Sequence, residues 1–183
     1  IKNHINKLIG QWNFRGNWLA RHEELIGDYN DNLSDEIYCL TIDSDSLFLN
    51  IIEPLSQNTD VVTDRFITTV GLFDGDRVHM DYVGAKLIDV NKDGYKEYVF
   101  VLYAGYSKFP RKVFVYDIKN DVLESSPSSA AGLASNLYFF DLNDDGVDEI
   151  CGRVPAHENI HYPMPYTDSS SWVMVLNLKT QPS

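Results

Sequence analysis

Short apolar runs rich in β-branched and aromatic residues alternate along the chain with polar, turn-forming segments. Such runs, about four to eight residues long and bounded by Gly, Pro, Asn, Asp or Ser, are typical of buried strands. One N-terminal stretch, 18–26, is also compatible with a short helix, since it contains His22, Glu23 and Glu24. We therefore predict an all-β chain in which helix is at most a minor component. The predicted strands are 36–42, 46–52, 85–88, 97–103, 112–118, 137–140, 149–154 and 172–178.

An acidic loop of one design leads into three of these predicted strands. The loops begin at residues 28, 89 and 141, which are 61 and 52 residues apart, and each matches D-x-N-x-[DN]-x-x-x-E. This spacing is close to the period of a propeller blade, a unit of four antiparallel strands. The fold class that we predict is therefore all-β, with propeller-type blades of four antiparallel strands. The predicted repeats cover about 12–60 (degenerate), 78–124 and 136–180 within a single domain.

The acidic loops carry oxygen atoms at a spacing suited to a hard cation. Positions 1, 3, 5 and 9 supply side-chain oxygens, and position 7 can add a backbone carbonyl, while calcium takes about six to eight oxygen ligands. An EF-hand loop begins in the same way but needs a glutamate at position 12 and flanking helices. Position 12 is Phe100 in the second loop and Gly152 in the third, and strands follow. We therefore expect strand-loop-strand metal sites, against the simpler alternative of Asx-rich turns with solvated carboxylates.

The motif D-x-N-x-D-G-x-x-E before an apolar strand, as in 89–97 and 141–149, resembles the FG-GAP repeat of integrin-type and related bacterial, VCBS-like β-propellers. The resemblance covers nearly the whole chain, strongly over 84–178 and weakly before it. In that family the loop between the first two strands of a blade holds calcium. The resemblance therefore implies these ligands, with Tyr95 and Val147 acting through their carbonyls: Asp89, Asn91, Asp93, Tyr95, Glu97, Asp141, Asn143, Asp145, Val147 and Glu149, and more weakly Asp28, Asn30, Asn32 and Glu36.

The residue at position 6 distinguishes the first loop from the other two. Gly94 and Gly146 fit a sharp turn at positive φ, which glycine adopts without steric cost. The first loop has Leu33 at this position and Asn32 in place of an aspartate, so we expect strain and one less negative charge there. Metal binding is therefore expected first at the second and third loops. Its expected role is structural, because a closed shell of protein oxygens leaves no position for a substrate.

The balance of charges excludes one class of partner. The 183 residues include 27 acidic and 15 basic ones, a formal net charge of −12, and no basic stripe that would bind nucleic acid. No apolar run reaches the roughly 18 residues of a membrane span. Cys39 and Cys151 fall in strands of different repeats, so free buried thiols are expected. The chain starts at Ile1, which fits a processed product or a piece of a longer protein with a leader or anchor upstream.

The segment 157–161 matches H-E-x-x-H, the signature of zinc proteases. That chemistry needs both histidines on one face of a helix, together with a third metal ligand. Pro155 precedes the match and 162–165 contains two further prolines, which leaves little room for two helical turns. Only Asp168 follows as a candidate third ligand. We therefore interpret the segment as a loop, and we predict no catalytic residues and no enzymatic activity.

The end of the blades opposite the acidic loops is the candidate recognition surface. Two connections there, 104–111 and 155–171, are rich in aromatic residues, which together with arginine commonly anchor recognition surfaces and can stack on sugars. The alternative is that these side chains pack the ends of the blades. The candidate ligand-binding residues are Tyr106, Phe109, Arg111, His157, His161, Tyr162 and Tyr166.

These features together predict a calcium-stabilised, non-catalytic binding module for an extracellular glycan or protein ligand. The expected location is extracytoplasmic: periplasmic, cell surface or secreted. The alternatives are a scaffold or sensor ectodomain within a larger bacterial surface protein and, less favoured, a hydrolase built on the aromatic loops. Three repeats do not close a ring of about four to eight blades. We therefore favour part of a larger propeller over two associated copies, or over edges covered by the segment around Trp12 and Trp18.

Overall fold

The computed structural model describes residues 11–19, 25–54, 60–70, 82–103, 110–127, 137–154 and 172–177. Strands supply all the regular secondary structure of these stretches, so the all-β prediction is confirmed. No described element has the length and apolarity of a membrane-spanning helix. The strands are β1 (Asn17–Trp18), β2 (Leu25–Gly27), β3 (Glu36–Asp43), β4 (Ser46–Ile52), β5 (Asp60–Thr69), β6 (Tyr82–Ile88), β7 (Glu97–Tyr103), β8 (Arg111–Asp117), β9 (Val122–Ser125), β10 (Tyr138–Phe140), β11 (Glu149–Val154) and β12 (Trp172–Leu176).

Antiparallel pairing of successive strands builds three sheets. Sheet 1 has the order β1-β3-β4-β5, with β2 also paired to β3, sheet 2 is β6-β7-β8-β9, and sheet 3 is β10-β11-β12. Strands β2, β6 and β10 each lead into an acidic loop, and the strand after the loop returns antiparallel. Sheet 2 therefore has the four-stranded order predicted for a blade. The described strands close neither a barrel nor a ring, so the propeller itself stays a prediction.

The N-terminal stretch that is compatible with a short helix carries a strand at each end. Trp18 belongs to β1 and pairs with Thr41, while Leu25–Gly27 forms β2. Both strands pair with β3, so they extend sheet 1 along one edge. The described parts of this stretch therefore follow the strand interpretation.

Sheet 2 lies between the other two sheets and packs against each of them through an apolar face. Alternate residues of a strand point to opposite faces. Tyr98 and Phe100 of β7 accordingly pack with residues of sheet 1, while Val99 and Val101 pack with residues of sheet 3. All four side chains are at most 1% exposed. Strand β7 is thus a continuous apolar run, the pattern of a strand that is buried on both sides.

Stacked aromatic rings join the first two sheets. The ring of Tyr38 in β3 stacks on that of Tyr98 with centroids 5.1 Å apart, and Phe100 stacks on Phe114 at 5.2 Å within sheet 2. Such pairs contribute about 0.5–1.5 kcal/mol each beyond the burial of their area. This packing holds the first two acidic loops at the same end of the adjoining sheets.

Neither Cys39 nor Cys151 is in a disulfide, as predicted, but only one of them is buried. Cys39 in β3 is fully buried, and its thiol donates to the carbonyl of Asn50 at 3.6 Å. Cys151 in β11 is partly exposed, although burial raises the pKa of its thiol, with the charge of Glu149 adding to the effect. The prediction of burial is therefore wrong for Cys151, because its face of sheet 3 is largely open.

Candidate metal-binding loops

One hydrogen-bond pattern closes the acidic loops, whose positions are numbered 1 to 9 from the first aspartate. In the second loop, the carboxylate of Asp89 accepts hydrogen bonds from the backbone N–H groups of Asp93 at 3.1 Å and Gly94 at 3.0 Å. Asn91 Oδ1 accepts from the same Asp93 N–H at 2.9 Å. Asp93 Oδ1 accepts from the N–H of Tyr95 at 2.9 Å. The side-chain oxygens at positions 1, 3 and 5 are therefore all turned toward the loop backbone.

The third loop repeats this pattern residue by residue. Asp141 accepts from the N–H groups of Asp145 at 3.1 Å and Gly146 at 2.8 Å. Asn143 Oδ1 and Asp145 Oδ1 accept from the N–H groups of Asp145 and Val147, both at 2.9 Å. The two loops have different residues at positions 2, 4, 7 and 8. The shared residues of the motif therefore set the conformation.

The first loop keeps the same conformation despite its departures from the motif. Asp28 accepts from the N–H groups of Asn32 at 3.2 Å and Leu33 at 2.7 Å, and Asn32 Oδ1 accepts from Ser34 at 2.8 Å. Asn30 Oδ1 accepts from the Asn32 N–H at 3.2 Å. Burial acts to raise the pKa of Asp28, but hydrogen bonds from the loop backbone outweigh it and lower the pKa. The amide oxygen of asparagine therefore replaces the carboxylate at position 5 without changing the fold of the loop.

Left-handed backbone at two positions gives the loops their shape. Position 6 is Gly94 or Gly146, each with a φ of 88° as the sequence predicts, and Leu33 with a φ of 71° in the first loop. A non-glycine residue in this region costs about 1–2 kcal/mol. Leu33 is 97% exposed, so packing does not offset that cost. The strain predicted for the first loop is confirmed. Position 4 is also left-handed in each loop, at Asp31, Lys92 and Asp144.

The glutamate at position 9 lies in the sheet and accepts hydrogen bonds from its own loop. Glu97 Oε2 accepts from the N–H of Val90 at 2.9 Å, and its Oε1 accepts from Asn91 Nδ2 at 3.1 Å. Glu149 accepts from the corresponding groups of the third loop at 2.7 and 2.9 Å. The two glutamates are 3% and 4% exposed. Each buried carboxylate therefore locks positions 2 and 3 of its own loop.

Glu36, at position 9 of the first loop, has one carboxylate oxygen without a described partner. Its Oε2 accepts from the N–H of Tyr29 at 3.1 Å and from the hydroxyl of Tyr38 at 3.2 Å. Its Oε1 is buried and accepts no hydrogen bond from any described residue. Burial raises the pKa of this carboxyl above its ordinary value. Buried polar atoms are normally satisfied, so this oxygen is a place where a water or a cation is expected.

Burial and neighbouring carboxylates both act on Glu97 of the second loop. Burial raises the pKa of Glu97 to about 7, with the nearby carboxylates of Asp117, Asp89 and Asp93 adding to the effect. Burial and like charges both disfavour the ionised form of a carboxyl. Lys119 offsets part of the negative charge of these carboxylates, with its Nζ 3.5 Å from Asp93 Oδ2. A bound cation would likewise offset the negative charge of the carboxylates near Glu97.

Backbone hydrogen bonds link each loop to the preceding one. The N–H of Lys96, at position 8 of the second loop, donates to the carbonyl of Tyr29 at 2.7 Å. The N–H of Asp148, at position 8 of the third loop, donates to the carbonyl of Val90 at 2.8 Å. Tyr29 and Val90 both occupy position 2. The three loops therefore form one hydrogen-bonded row at the same end of the sheets.

Ion pairs also join neighbouring loops. In the first pair the basic residue is at position 8 and the acidic one at position 4, and in the second pair these positions are reversed in charge. Lys96 Nζ lies 2.6 Å from Asp31 Oδ1, and Lys92 Nζ lies 2.7 Å from Asp148 Oδ2. In both contacts position 8 of one loop pairs with position 4 of the preceding loop. Sequence reasoning missed these residues, although the opposite signs at positions 4 and 8 of successive repeats were a usable signal.

The donor atoms of the loops suit a hard cation, but their carboxylates do not gather around one point. Within the described part of the chain, no three His, Cys, Asp or Glu side chains converge to hold a metal ion. Asp89 and Asn91 place two oxygens within 3.1 Å of one backbone nitrogen, whereas Glu97 is turned to the loop backbone. The remaining donors mix carboxylate, amide and carbonyl oxygens, and this mixture is the chemistry that calcium accepts.

The predicted ligand-binding residues lie outside the described residues, with one exception. Strand β7 ends and β8 begins at the end of sheet 2 opposite its acidic loop, and the same holds for β11 and β12 in sheet 3. Arg111 begins β8 and is only 2% exposed, so it is buried rather than displayed. The residues outside the described stretches are Tyr106, Phe109, His157, His161, Tyr162 and Tyr166.

Comparisons with known proteins give no indication of function, so a functional proposal for this chain rests on the geometry of the loops. A scan against protein-family models, a search of curated proteins and a search of solved structures each gave no match. The resemblance to FG-GAP repeats therefore stays a hypothesis, which rests on the loop motif and its spacing.

Proposed function

We propose that this chain is a calcium-stabilised module of propeller-type repeats that binds an extracellular glycan or protein and catalyses no reaction. The observation that carries the proposal is the recurrence of one loop conformation in three sheets, with the oxygens at positions 1, 3 and 5 held by equivalent hydrogen bonds. The resemblance to FG-GAP repeats supports calcium as the ion.

Calcium would be held first by the second and third loops. The ion would supply positive charge where burial and neighbouring carboxylates raise the pKa of Glu97. Because it would bind the folded loop and not the unfolded chain, it would stabilise the fold. The candidate donors are the side chains of Asp89, Asn91, Asp93, Asp141, Asn143 and Asp145 and the carbonyls of Tyr95 and Val147, with Glu97 and Glu149 closing the loops.

The position of the loops supports a structural role for the ion. Each loop joins two paired strands, such as β6 and β7, and its glutamate is buried within the sheet. The side-chain oxygens are already engaged with the backbone of their own loop. An ion there would fix the turn between two strands, so recognition would be the task of other surfaces of the repeats.

An extracytoplasmic location follows from the affinity that we propose. Lys92, Lys96 and Lys119 all lie against acidic groups of the loops and reduce their net charge. Calcium sites of extracellular modules have a Kd of about 10⁻⁴ to 10⁻³ M, and their affinity depends on the charge of the ligands. We propose an affinity in this range, which suits the periplasm, the cell surface or a secreted protein.

Isothermal titration calorimetry with calcium tests the metal site. We expect binding by the unmodified chain, loss of part of the stoichiometry in Asp93→Ala or Asp145→Ala, and loss of both strong sites in the double variant. Glu124→Gln removes one negative charge outside the loops and is the matched control, because Glu124 lies in β9. Unchanged binding in the double variant would contradict the assignment of the ion to these loops.

A glycan array and an affinity screen, each run with calcium and with EDTA, test the recognition function. The proposal predicts a ligand whose binding is weakened by Tyr106→Ala or Tyr166→Ala and not by Glu124→Gln. Binding of no ligand by a folded, calcium-loaded chain would favour the scaffold alternative. Hydrolysis of a glycan or peptide by the purified chain would favour the hydrolase alternative.

A further inference from the structure

Sheets 2 and 3 leave a cavity of about 550 Å³ between them. The cavity lies where β8 and β9 of sheet 2 face β11 and β12 of sheet 3. Its walls are apolar, with Val113 and Val115 on one side and Ile150 and Leu176 on the other. Cavities that bind small molecules have volumes of about 300–1,000 Å³ and mostly apolar walls with a few polar groups. The size and the lining therefore suit a small ligand with an apolar body.

Strand β9 places an acidic residue in this apolar cavity. Glu124 of β9 pairs with Val115 of β8, and directly paired residues lie on the same face of a sheet. Val115 packs with residues of sheet 3, whereas Leu123, next to Glu124, packs with residues of sheet 1. Glu124 therefore shares the face of sheet 2 that is turned toward sheet 3. It is half-buried, and it lies on the last strand in the order of sheet 2.

The carboxylate of Glu124 is available to a ligand. Within the described stretches, no residue donates a hydrogen bond to it or forms an ion pair with it. The neighbouring hydroxyl of Ser126 is engaged, because it accepts from the N–H of Val113 at 3.0 Å and donates to the carbonyl of Pro127 at 2.9 Å. Glu124 therefore offers the cavity a negative charge and free acceptor atoms.

Lys112 borders the cavity but does not neutralise Glu124. Phe114 pairs with Ser125 and packs with residues of sheet 1. Residues two places apart in a strand share a face, so Lys112 lies on the same side of sheet 2 as Phe114. Its Nζ is 3.3 Å from the hydroxyl of Ser125, which is also on that side. The ammonium group of Lys112 is therefore directed away from the face that carries Glu124.

We propose that this cavity binds a small organic cation, an amine with an apolar body, with its ammonium group at the carboxylate of Glu124 and its body against Val115, Ile150 and Leu176. A hydrogen bond between an ammonium group and a carboxylate is charge-assisted and stronger than one between neutral groups. The net charge of −12 also favours the approach of cations over anions. The site is separate from the connections 104–111 and 155–171, so it goes beyond the proposed recognition of a glycan or protein.

The acidic group determines which small molecules the cavity accepts. A neutral ligand of the same shape would take water from the carboxylate of Glu124 without replacing its hydrogen bonds, and this costs free energy. A carboxylate ligand would add a like charge beside Glu124. Affinity is therefore expected to fall from an amine to the matched alcohol and further to the matched carboxylate.

Isothermal titration calorimetry of the full chain tests this order with 2-phenylethylamine, 2-phenylethanol and 3-phenylpropanoate. These probes carry a cationic, a neutral and an anionic group on similar apolar bodies. The amine is expected to bind about tenfold more tightly than the alcohol. Glu124→Gln is expected to remove this difference, because it keeps the shape of the side chain and removes the charge. Glu53→Gln makes the same change directly after β4 in sheet 1 and is the matched control.

Leu176→Trp tests where the apolar body lies. The larger side chain fills the cavity from the side of β12, so the amine and the alcohol are both expected to lose binding. Val175→Trp is the matched control, because Val175 is 51% exposed on the opposite face of the same strand. A cooperative thermal transition shows that each variant is folded. Amide chemical shifts of the unmodified chain locate the bound amine independently of any variant, and those of Val115, Ile150 and Leu176 are expected to change.

Three outcomes would overturn the proposal. The first is an unmodified chain that does not bind the amine or binds the amine and the alcohol equally. The second is a preference for the amine that persists in Glu124→Gln. The third is a set of amine-induced shift changes that excludes Val115, Ile150 and Leu176, or full binding by a folded Leu176→Trp variant, since the amine would then lie elsewhere.

Discussion

Lys96 and Asp31, which are 65 residues apart in sequence, join the first two acidic loops, with the Lys96 ammonium 2.6 Å from the Asp31 carboxylate. The same ammonium donates to the carbonyl of Asp28 at 2.8 Å. The hydrogen bond with Asp31 raises the pKa of Lys96, although burial acts against it. Each loop is therefore stabilised by its neighbour as well as by its own backbone contacts.

Lys96→Glu is expected to lower the free energy of unfolding by about 1 kcal/mol, because it replaces the surface ion pair with Asp31 by two facing carboxylates. Adding Asp31→Lys should recover about 0.2–1 kcal/mol of that loss, the range measured for surface pairs. Urea unfolding of the two single variants and the double variant gives the coupling energy.

Lys112→Glu is the matched control for this cycle, because Lys112 Nζ contacts the Ser125 hydroxyl rather than a carboxylate. A coupling energy of zero between the Lys96 and Asp31 substitutions would show that the contact between loops contributes no stability.

Exchanging residues at position 6 should change stability in opposite directions in different loops. Gly94→Ala and Gly146→Ala are each expected to cost about 1 kcal/mol, because alanine is strained at positive φ. No atom lies within 4 Å of a Cβ at either glycine, so a steric clash does not contribute. Leu33→Gly should stabilise by about 0.5 kcal/mol, since strain is relieved but the unfolded chain gains entropy. Chemical denaturation measures all three, and a loss of stability in Leu33→Gly would contradict the assignment of strain.

Tyr98 carries a buried hydroxyl without a described hydrogen-bond partner. Burial raises the pKa of this hydroxyl well above its ordinary value. An unsatisfied buried polar group costs about 1–3 kcal/mol, so Tyr98→Phe is expected to leave stability unchanged or to raise it by about 1 kcal/mol. Thermal unfolding followed by calorimetry measures the change.

Two other tyrosines provide controls in which the hydroxyl has a partner. The hydroxyl of Tyr38 donates to Glu36 at 3.2 Å, and that of Tyr116 donates to Asp121 at 2.9 Å. Tyr38→Phe and Tyr116→Phe are each expected to lower stability by about 1 kcal/mol. A loss of the same size in Tyr98→Phe would mean that its hydroxyl is satisfied.

The local structure of the chain was readable from its sequence. The apolar runs predicted most of the strands, and the motif D-x-N-x-[DN]-x-x-x-E predicted three loops of one design because each of its oxygens has a backbone N–H within reach. The positive φ of Gly94 and Gly146 followed from the need for a sharp turn. These features depend on short-range contacts, which sequence spacing determines.

The contacts between repeats could not be predicted from the sequence in the same way. The opposite signs at positions 4 and 8 signal the pairing of Lys96 with Asp31 only once the order of the sheets is known, and no sequence pattern predicted the burial of Arg111. Cys151 shows the limit most clearly, because its apolar neighbours favoured burial, whereas Tyr138 and Val175 beside it are 55% and 51% exposed. Ring closure and the ligand remain predictions for the same reason.

Thermal unfolding of the unmodified chain in millimolar calcium and in EDTA tests the central claim most directly. A ligand that binds only the folded state adds about 2.7 kcal/mol at 100 times its Kd, so a clear rise in Tm is expected with calcium. The rise should be absent in the Asp93→Ala/Asp145→Ala variant and unchanged in Glu124→Gln. An equal Tm in calcium and EDTA, with no bound metal by elemental analysis, would contradict the account and reduce the loops to polar turns.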